Sequence, residues 1–96
     1  MAEYKLNDAA KQDLARIYRR GLERHGEAQA DRYYYAFFRR FDQIAEQPFL
    51  YQAVEHIKSG YRRSVCGQES IYYRVVDGVP EIMRILGRQD LSSELE

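Results

Sequence analysis

Between Ala10 and His25, apolar or semi-apolar positions return at steps of three, four or one: Ala10, Leu14, Ile17, Tyr18, Leu22 and His25. That spacing places them along one face of a helix. Asn7 or Asp8 stands ahead of it with a side-chain oxygen for the unpaired amides of the first turn, and Gly26 is a natural stop. The pattern resumes from Glu27 to Gln47 through Ala30, Tyr34, Phe37, Phe38, Phe41, Ile44 and Ala45, and Pro48 closes it. Residues 8–47 are therefore predicted to be two helices with almost no loop between them, an antiparallel hairpin. Glu3 to Leu6 alternates and predicts a short edge strand ahead of them. Residues 49–60 carry no period and read as a loop. Three strand-like runs follow: 61–66, 70–76 and 81–86. The first turn contains Gly67, and the second is Asp77-Gly78, a strong hairpin signal. Pro80 points to an edge strand or to the opening of one.

The predicted order is β-α-α-β-β-β. Two amphipathic helices beside a small, mainly antiparallel sheet must cover one of its faces, which gives a two-layer α+β fold with the other face at least partly open. The 96 residues make one domain, 1–96, with 92–96 as a polar, disordered tail. A chain this short buries only about 60–65% of its unfolded surface.

Composition narrows the function. Fifteen Lys+Arg balance fifteen Asp+Glu, so the net charge is zero. A protein that holds nucleic acid chiefly through phosphates generally shows a basic excess. Any basic surface must therefore be local, and direct sequence-specific nucleic-acid binding is not expected. No apolar run reaches the roughly 20 residues of a membrane span, and the start lacks a secretory signal's apolar core, which predicts a cytoplasmic protein with no membrane partner. Cys66 is the sole cysteine and lies far from His25 and His56 along the chain, so no metal-ligand spacing exists. It reads as a small apolar strand residue rather than a nucleophile.

Arginines are the candidate chemistry. Arg62, Arg74 and Arg84 fall on the predicted strands and are expected to contribute to the open face, with Arg63 alternating away from Arg62. They either contact an acidic partner or pair with carboxylates such as Glu69 and Glu81. Arg16, Arg20 and Arg24 recur at i, i+4 on the first helix, a like-charge stripe that is either solvated or covered by a partner. Tyr33 and Tyr34 belong to the apolar side of the second helix, and Tyr35 is expected at the surface. Tyr72 and Tyr73 point to opposite sides of their strand, so at least one is expected to be buried.

The ordered run SGYRRSVCGQESIYYRVVDGVPEIMRILGRQD, with GYRR, YYRV and EIMRILGRQD at consecutive-strand spacing, resembles the RelE/ParE superfamily of bacterial toxin–antitoxin toxins. The short opening strand followed by AAKQDLARIY resembles its ParE branch. The resemblance covers nearly the whole chain. It implies a type II toxin, associated with plasmid or chromosomal maintenance and neutralised by a cognate antitoxin in a hetero-oligomer. In the ParE branch it further implies inhibition of DNA gyrase by binding, without a cofactor or catalytic residues. In the RelE branch it implies a metal-free, ribosome-dependent mRNA endoribonuclease.

Metal-free RNA cleavage needs a base, an acid and cations around the phosphorane. In RelE-type nucleases the segment after the last strand typically adds a Tyr or His, and residues 87–96 here contain neither. Glu55 and His56 remain as base candidates, which makes the nuclease the alternative reading, beside a degenerate toxin that only binds its antitoxin. The favoured reading is the gyrase-binding toxin. Its expected partner-binding residues are Arg62, Arg74, Arg84, Arg16 and Arg20, together with Arg88, Gln89 and Asp90 beyond the last strand. No catalytic residue and no metal site is expected.

Overall fold

The computed structural model of the protein describes residues 2–87. Its elements run β1 (Lys5–Leu6), α1 (Asp8–His25), α2 (Glu27–Glu46), β2 (Gln52–Ala53), β3 (Tyr61–Cys66), β4 (Glu69–Val76) and β5 (Val79–Gly87). Asn7 caps α1 with extended backbone, and its Oδ1 accepts the Ala9 N–H at 2.8 Å. Asp8 in the first turn and Arg24 and His25 in the last oppose the helix dipole favourably. Gly26, at φ 84°, ends α1 by donating its N–H to the Leu22 carbonyl and at once starts α2 by accepting from Ala30. One residue turns the chain because glycine adopts that left-handed φ without a Cβ penalty.

The strands form one mixed sheet in the order β1-β5-β4-β3-β2. β3, β4 and β5 are antiparallel, and β1 lies parallel to β5 through Lys5↔Glu81 and Leu6↔Ile82. Asp77 (φ 52°) and Gly78 (φ 79°) both take left-handed conformations in the β4–β5 turn. That matches the twist of a tight hairpin. Pro80 holds the second position of β5, ahead of the first β1 pair, so its missing N–H costs no ladder bond to β1. β5 is thus an interior strand that proline opens, and not an edge.

Both helices lie on one face. Ala10, Leu14 and Ile17 of α1 and Phe37, Phe41 and Ile44 of α2 are buried against Ile71, Tyr73, Ile82 and Ile85 of the sheet. The second face is less open than the sequence predicts. Tyr72, Tyr61 and Leu86 form a smaller core there, covered by Val54 and Ile57. Residues 49–60, predicted as a plain loop, supply that cover: β2 pairs with Arg62 and Arg63, and Val54 donates to the Tyr61 carbonyl at 2.8 Å. Both Tyr72 and Tyr73 are consequently buried. Cys66 is buried and free, and burial raises its thiol pKa, as expected for an inert apolar residue.

Candidate functional site

The parallel β1 ladder stops at Ile82, whose carbonyl accepts from Asn7 at 3.0 Å, and leaves the outer edge of β5 unpaired beyond it. An unpaired interior strand exposes ladder groups that must find partners. Side chains of α1 take that place. Asp13 Oδ2 accepts the Ile85 N–H at 2.9 Å, and Arg16 donates to the Ile85 carbonyl at 3.2 Å. Asp13, only 4% exposed, also accepts from Arg84 Nε at 2.8 Å and Arg84 Nη2 at 3.0 Å. A carboxylate buried to that degree needs such multidentate, charge-assisted partners. The Asp13–Arg84–Arg16 clasp therefore fastens α1 to the end of β5.

Arg20 extends the same row one turn on. Its Nη2 lies 2.8 Å from Glu69 Oε2, while the Tyr33 hydroxyl donates to Glu69 Oε1 at 2.7 Å. Glu69 is buried at the start of β4, so the arginine and the phenol together satisfy it. The hydrogen bond adds to burial in pushing the Tyr33 pKa well above its usual value. The like-charge stripe on α1 is thus largely an internal device, with Arg16 and Arg20 each serving an acid or a carbonyl of the fold.

Arg62, Arg74 and Arg84 do not share an open face as expected. Arg62 stands opposite Tyr73 on the helix side, where it donates to the Tyr51 carbonyl at 2.7 Å and lies 5.0 Å over the Phe49 ring. Arg74 stands opposite Tyr61 on the second face and ion-pairs with Glu81 at 2.9 Å. A register shift between Tyr72 and Tyr73 resets β5, so Arg84 comes opposite Tyr72 and its guanidinium meets Asp13. Arg63 alternates away from Arg62 as expected. Arg88, Gln89 and Asp90 lie outside the described residues. Of the two base candidates, Glu55 accepts the Gly60 N–H at 2.8 Å and the Ser59 hydroxyl at 3.3 Å, which closes the 55–60 turn, and His56 is exposed.

One concavity among the described residues is not singled out by the sequence. A cleft of about 1240 Å³ opens between the tip of the helical hairpin and the β3–β4 hairpin. Arg20, Arg24 and Arg32 line it from the helices and Arg63 from β3, with Glu69 as the sole carboxylate among the described lining residues. Arg24 belongs to the α1 stripe, but nothing in the sequence announces that Arg32 and Arg63 converge on it from separate elements. A smaller groove of about 620 Å³ runs between α1 and α2 past Leu14, Tyr34 and Phe38. There the Tyr18 hydroxyl donates to Asp31 at 2.6 Å, which raises its pKa to about 12, and Tyr35 is exposed as expected. No group of three or more His, Cys, Asp or Glu is arranged to hold a metal ion among the described residues. No helix among them is long and apolar enough to cross a membrane.

Comparison with known proteins gives concordant results. The family described as "ParE toxin of type II toxin-antitoxin system, parDE" matches residues 4–91. The chain is 37% identical over 86 residues to Toxin ParE1 of Caulobacter vibrioides, covering 90% of this chain and 88% of that protein. It is 30% identical over 96 residues to Toxin ParE1 of Mycobacterium tuberculosis, covering 98% of each. Among solved structures, a chain of the chromosomal ParDE TA system from P. aeruginosa superposes with a TM-score of 0.80 at 19% identity, over 91% of this chain and 96% of that one. That likeness bears on the fold, where it matches the two helices packed on a five-stranded sheet.

Proposed function

This chain belongs to the ParE toxin family of type II toxin–antitoxin systems, and from that membership we propose that it stops growth by binding DNA gyrase, without itself catalysing a reaction. We further propose that it acts in the cytoplasm and that a cognate antitoxin neutralises it in a hetero-oligomer. The name ParDE carried by the solved relative supports the antitoxin partnership. Family membership is the observation that carries the reading. The geometry supports it at two places. Glu55, the carboxylate a ribonuclease mechanism would call on, is held by the Gly60 N–H and the Ser59 hydroxyl and serves the turn. Arg84 and Arg16, two expected partner-binding residues, anchor the strand from which residues 88–91 depart. In this reading they orient the contact segment, and Arg88, Gln89 and Asp90 make the contact. Arg20, Arg62 and Arg74 likewise act through the frame they brace.

The test is a supercoiling assay with purified gyrase, run beside primer extension on translated transcripts. Inhibition of supercoiling with intact transcripts is the expected result. Codon-positioned cuts that disappear in Glu55→Ala or His56→Ala would move the assignment to the endoribonuclease. Arrest of growth with gyrase untouched would remove gyrase as the target.

A further inference from the structure

We propose that the cleft between the helical hairpin tip and the β3–β4 hairpin binds the phosphodiester backbone of a nucleic acid without reading its sequence. Such binding is independent of the gyrase target and follows from how charge is distributed over a neutral chain. Most of the arginines discussed above are engaged: Arg16 and Arg84 with Asp13, Arg20 with Glu69, Arg62 with backbone carbonyls, Arg74 with Glu81. Arg24, Arg32 and Arg63 differ. All three line the cleft, and among the described residues none of them has a hydrogen-bond or ion-pair partner. Glu69, the one carboxylate among the described lining residues, is already neutralised by Arg20 at 2.8 Å and capped by the Tyr33 hydroxyl. A chain of zero net charge therefore concentrates unbalanced positive charge in one concavity. Low-dielectric walls focus such a field.

The occupant follows from the layout of donors. Arg24 and Arg32 line the cleft from the helices and Arg63 lines it from β3, on the sheet face it shares with Tyr72, so an anion following the cleft meets guanidinium groups from two separate parts of the fold. Those groups fork to match phosphate oxygens, and Gln29, Gln68 and Ser70 add neutral donors of the kind that contact nucleic-acid backbones. A phosphodiester strand carries a charge on every nucleotide, which suits cations spread along a channel better than a single anion does. Base readout is not provided for. Tyr72 is buried, Tyr33 packs on Phe37 at 4.8 Å, and Tyr34 packs on Tyr18 at 5.4 Å and Phe38 at 5.0 Å. The tyrosine rings of the lining are thus engaged within the fold, and the arginines address the backbone as the recognised part.

The test is fluorescence anisotropy of the purified, folded chain with a labelled oligothymidylate across a salt series. Three arginines on single-stranded phosphates should give a slope of log affinity against log salt of about −2, since each contact contributes roughly −0.7. Replacing Arg24, Arg32 and Arg63 together by Gln should weaken binding by about tenfold or more and flatten that slope. These side chains serve no partner among the described residues, so the circular dichroism spectrum and melting temperature should hold. Arg19→Gln, Arg39→Gln and Lys11→Gln together remove the same charge away from the cleft and should leave binding nearly intact. Equal losses in the two triple variants would show a diffuse charge effect and overturn the site. Should the cleft variant fail to fold, side-chain Nε–H resonances of the wild-type chain decide the matter. Shifts at Arg24, Arg32 and Arg63 on adding the oligonucleotide support the site, and shifts elsewhere with these three unmoved overturn it. An oligoglutamate peptide of equal length that binds more tightly would identify an acidic peptide as the occupant and end the phosphodiester assignment.

Discussion

Asp13 is the residue whose environment has most to lose. It accepts two bonds from Arg84, one from the Ile85 N–H and a longer one from Arg16, all from within the protein. Asp13→Asn keeps the shape but removes the charge that three of those donors were built to meet. Breaking a buried ion pair on one side leaves the other charge stranded, and about 2–4 kcal/mol of stability should be lost in urea unfolding. Arg74→Gln, which breaks a pair whose arginine side chain is 47% exposed, should change stability by no more than about 1 kcal/mol. Equal losses in the two variants would refute the structural weight given to the clasp. The tyrosines set the alkaline limit. Burial is the main cause that raises the Tyr73 phenol from 10 to about 12, and its hydroxyl donates to the Pro48 carbonyl at 2.6 Å. The folded state therefore keeps a proton that the unfolded chain gives up. Stability should be flat with respect to this group below pH 10 and fall as pH rises from there toward 12. Melting temperatures measured across that window should show the decline, and Tyr73→Phe should make it shallower.

At the scale of elements, the turns and caps carry conformational demands that single residues meet. Gly67, in the β3–β4 turn, has φ 61°, and a Cβ there would lie 2.5 Å from the Tyr33 ring. Tyr33 in turn holds Glu69 and accepts the Gln68 N–H, so displacing it loosens the start of β4. Gly60 has φ 81° with nothing near its missing Cβ. Gly67→Ala should thus cost about 2–3 kcal/mol and Gly60→Ala only about 1, with the difference reporting the collision with Tyr33. Similar losses from both would mean that backbone conformation alone is at stake. These same elements mark what the sequence could disclose. Asn7, Gly26, Pro48 and Asp77-Gly78 act through local geometry, so the two helices, the edge strand and the last hairpin were legible within a residue or two. β2 was not, because Gln52 and Ala53 are exposed and become a strand only by pairing with Arg63 and Arg62. The register shift at Tyr72 and Tyr73 was equally hidden, and with it the partner of every strand arginine. Arg63 and Arg32 were invisible as neighbours for the same reason: a distance of thirty-one positions in sequence closes only when the β3–β4 hairpin meets the helical tip.

For the whole molecule, the question is how a small, neutral domain presents a contact surface without weakening itself. The described core reaches the end of β5 on both faces of the sheet, with Ile85 in the helix-side cluster and Leu86 in the opposite one. The Asp13–Arg16–Arg84 clasp secures β5 just before the chain passes Gly87. Residues 88–91 therefore follow from a fixed strand end, and they bring Arg88, Gln89 and Asp90, side chains able to make planar or charge-assisted hydrogen bonds. A few such residues, once desolvated at an interface, commonly contribute about 1–3 kcal/mol each. Ending the chain after Gly87 should consequently leave the melting temperature and copurification with antitoxin close to those of the full chain. Inhibition of gyrase supercoiling should fall by about tenfold or more, as expected when contacts of that size are lost. The competing account makes the segment a cover for the sheet, in which case truncation lowers the melting temperature and antitoxin binding together. Asp13→Asn separates the two accounts from the other side. With residues 88–96 intact but their root loosened, the interface account expects inhibition to weaken more than antitoxin binding does. A truncated chain that melts normally and inhibits gyrase as well as the full chain would show that the contact lies elsewhere on the fold.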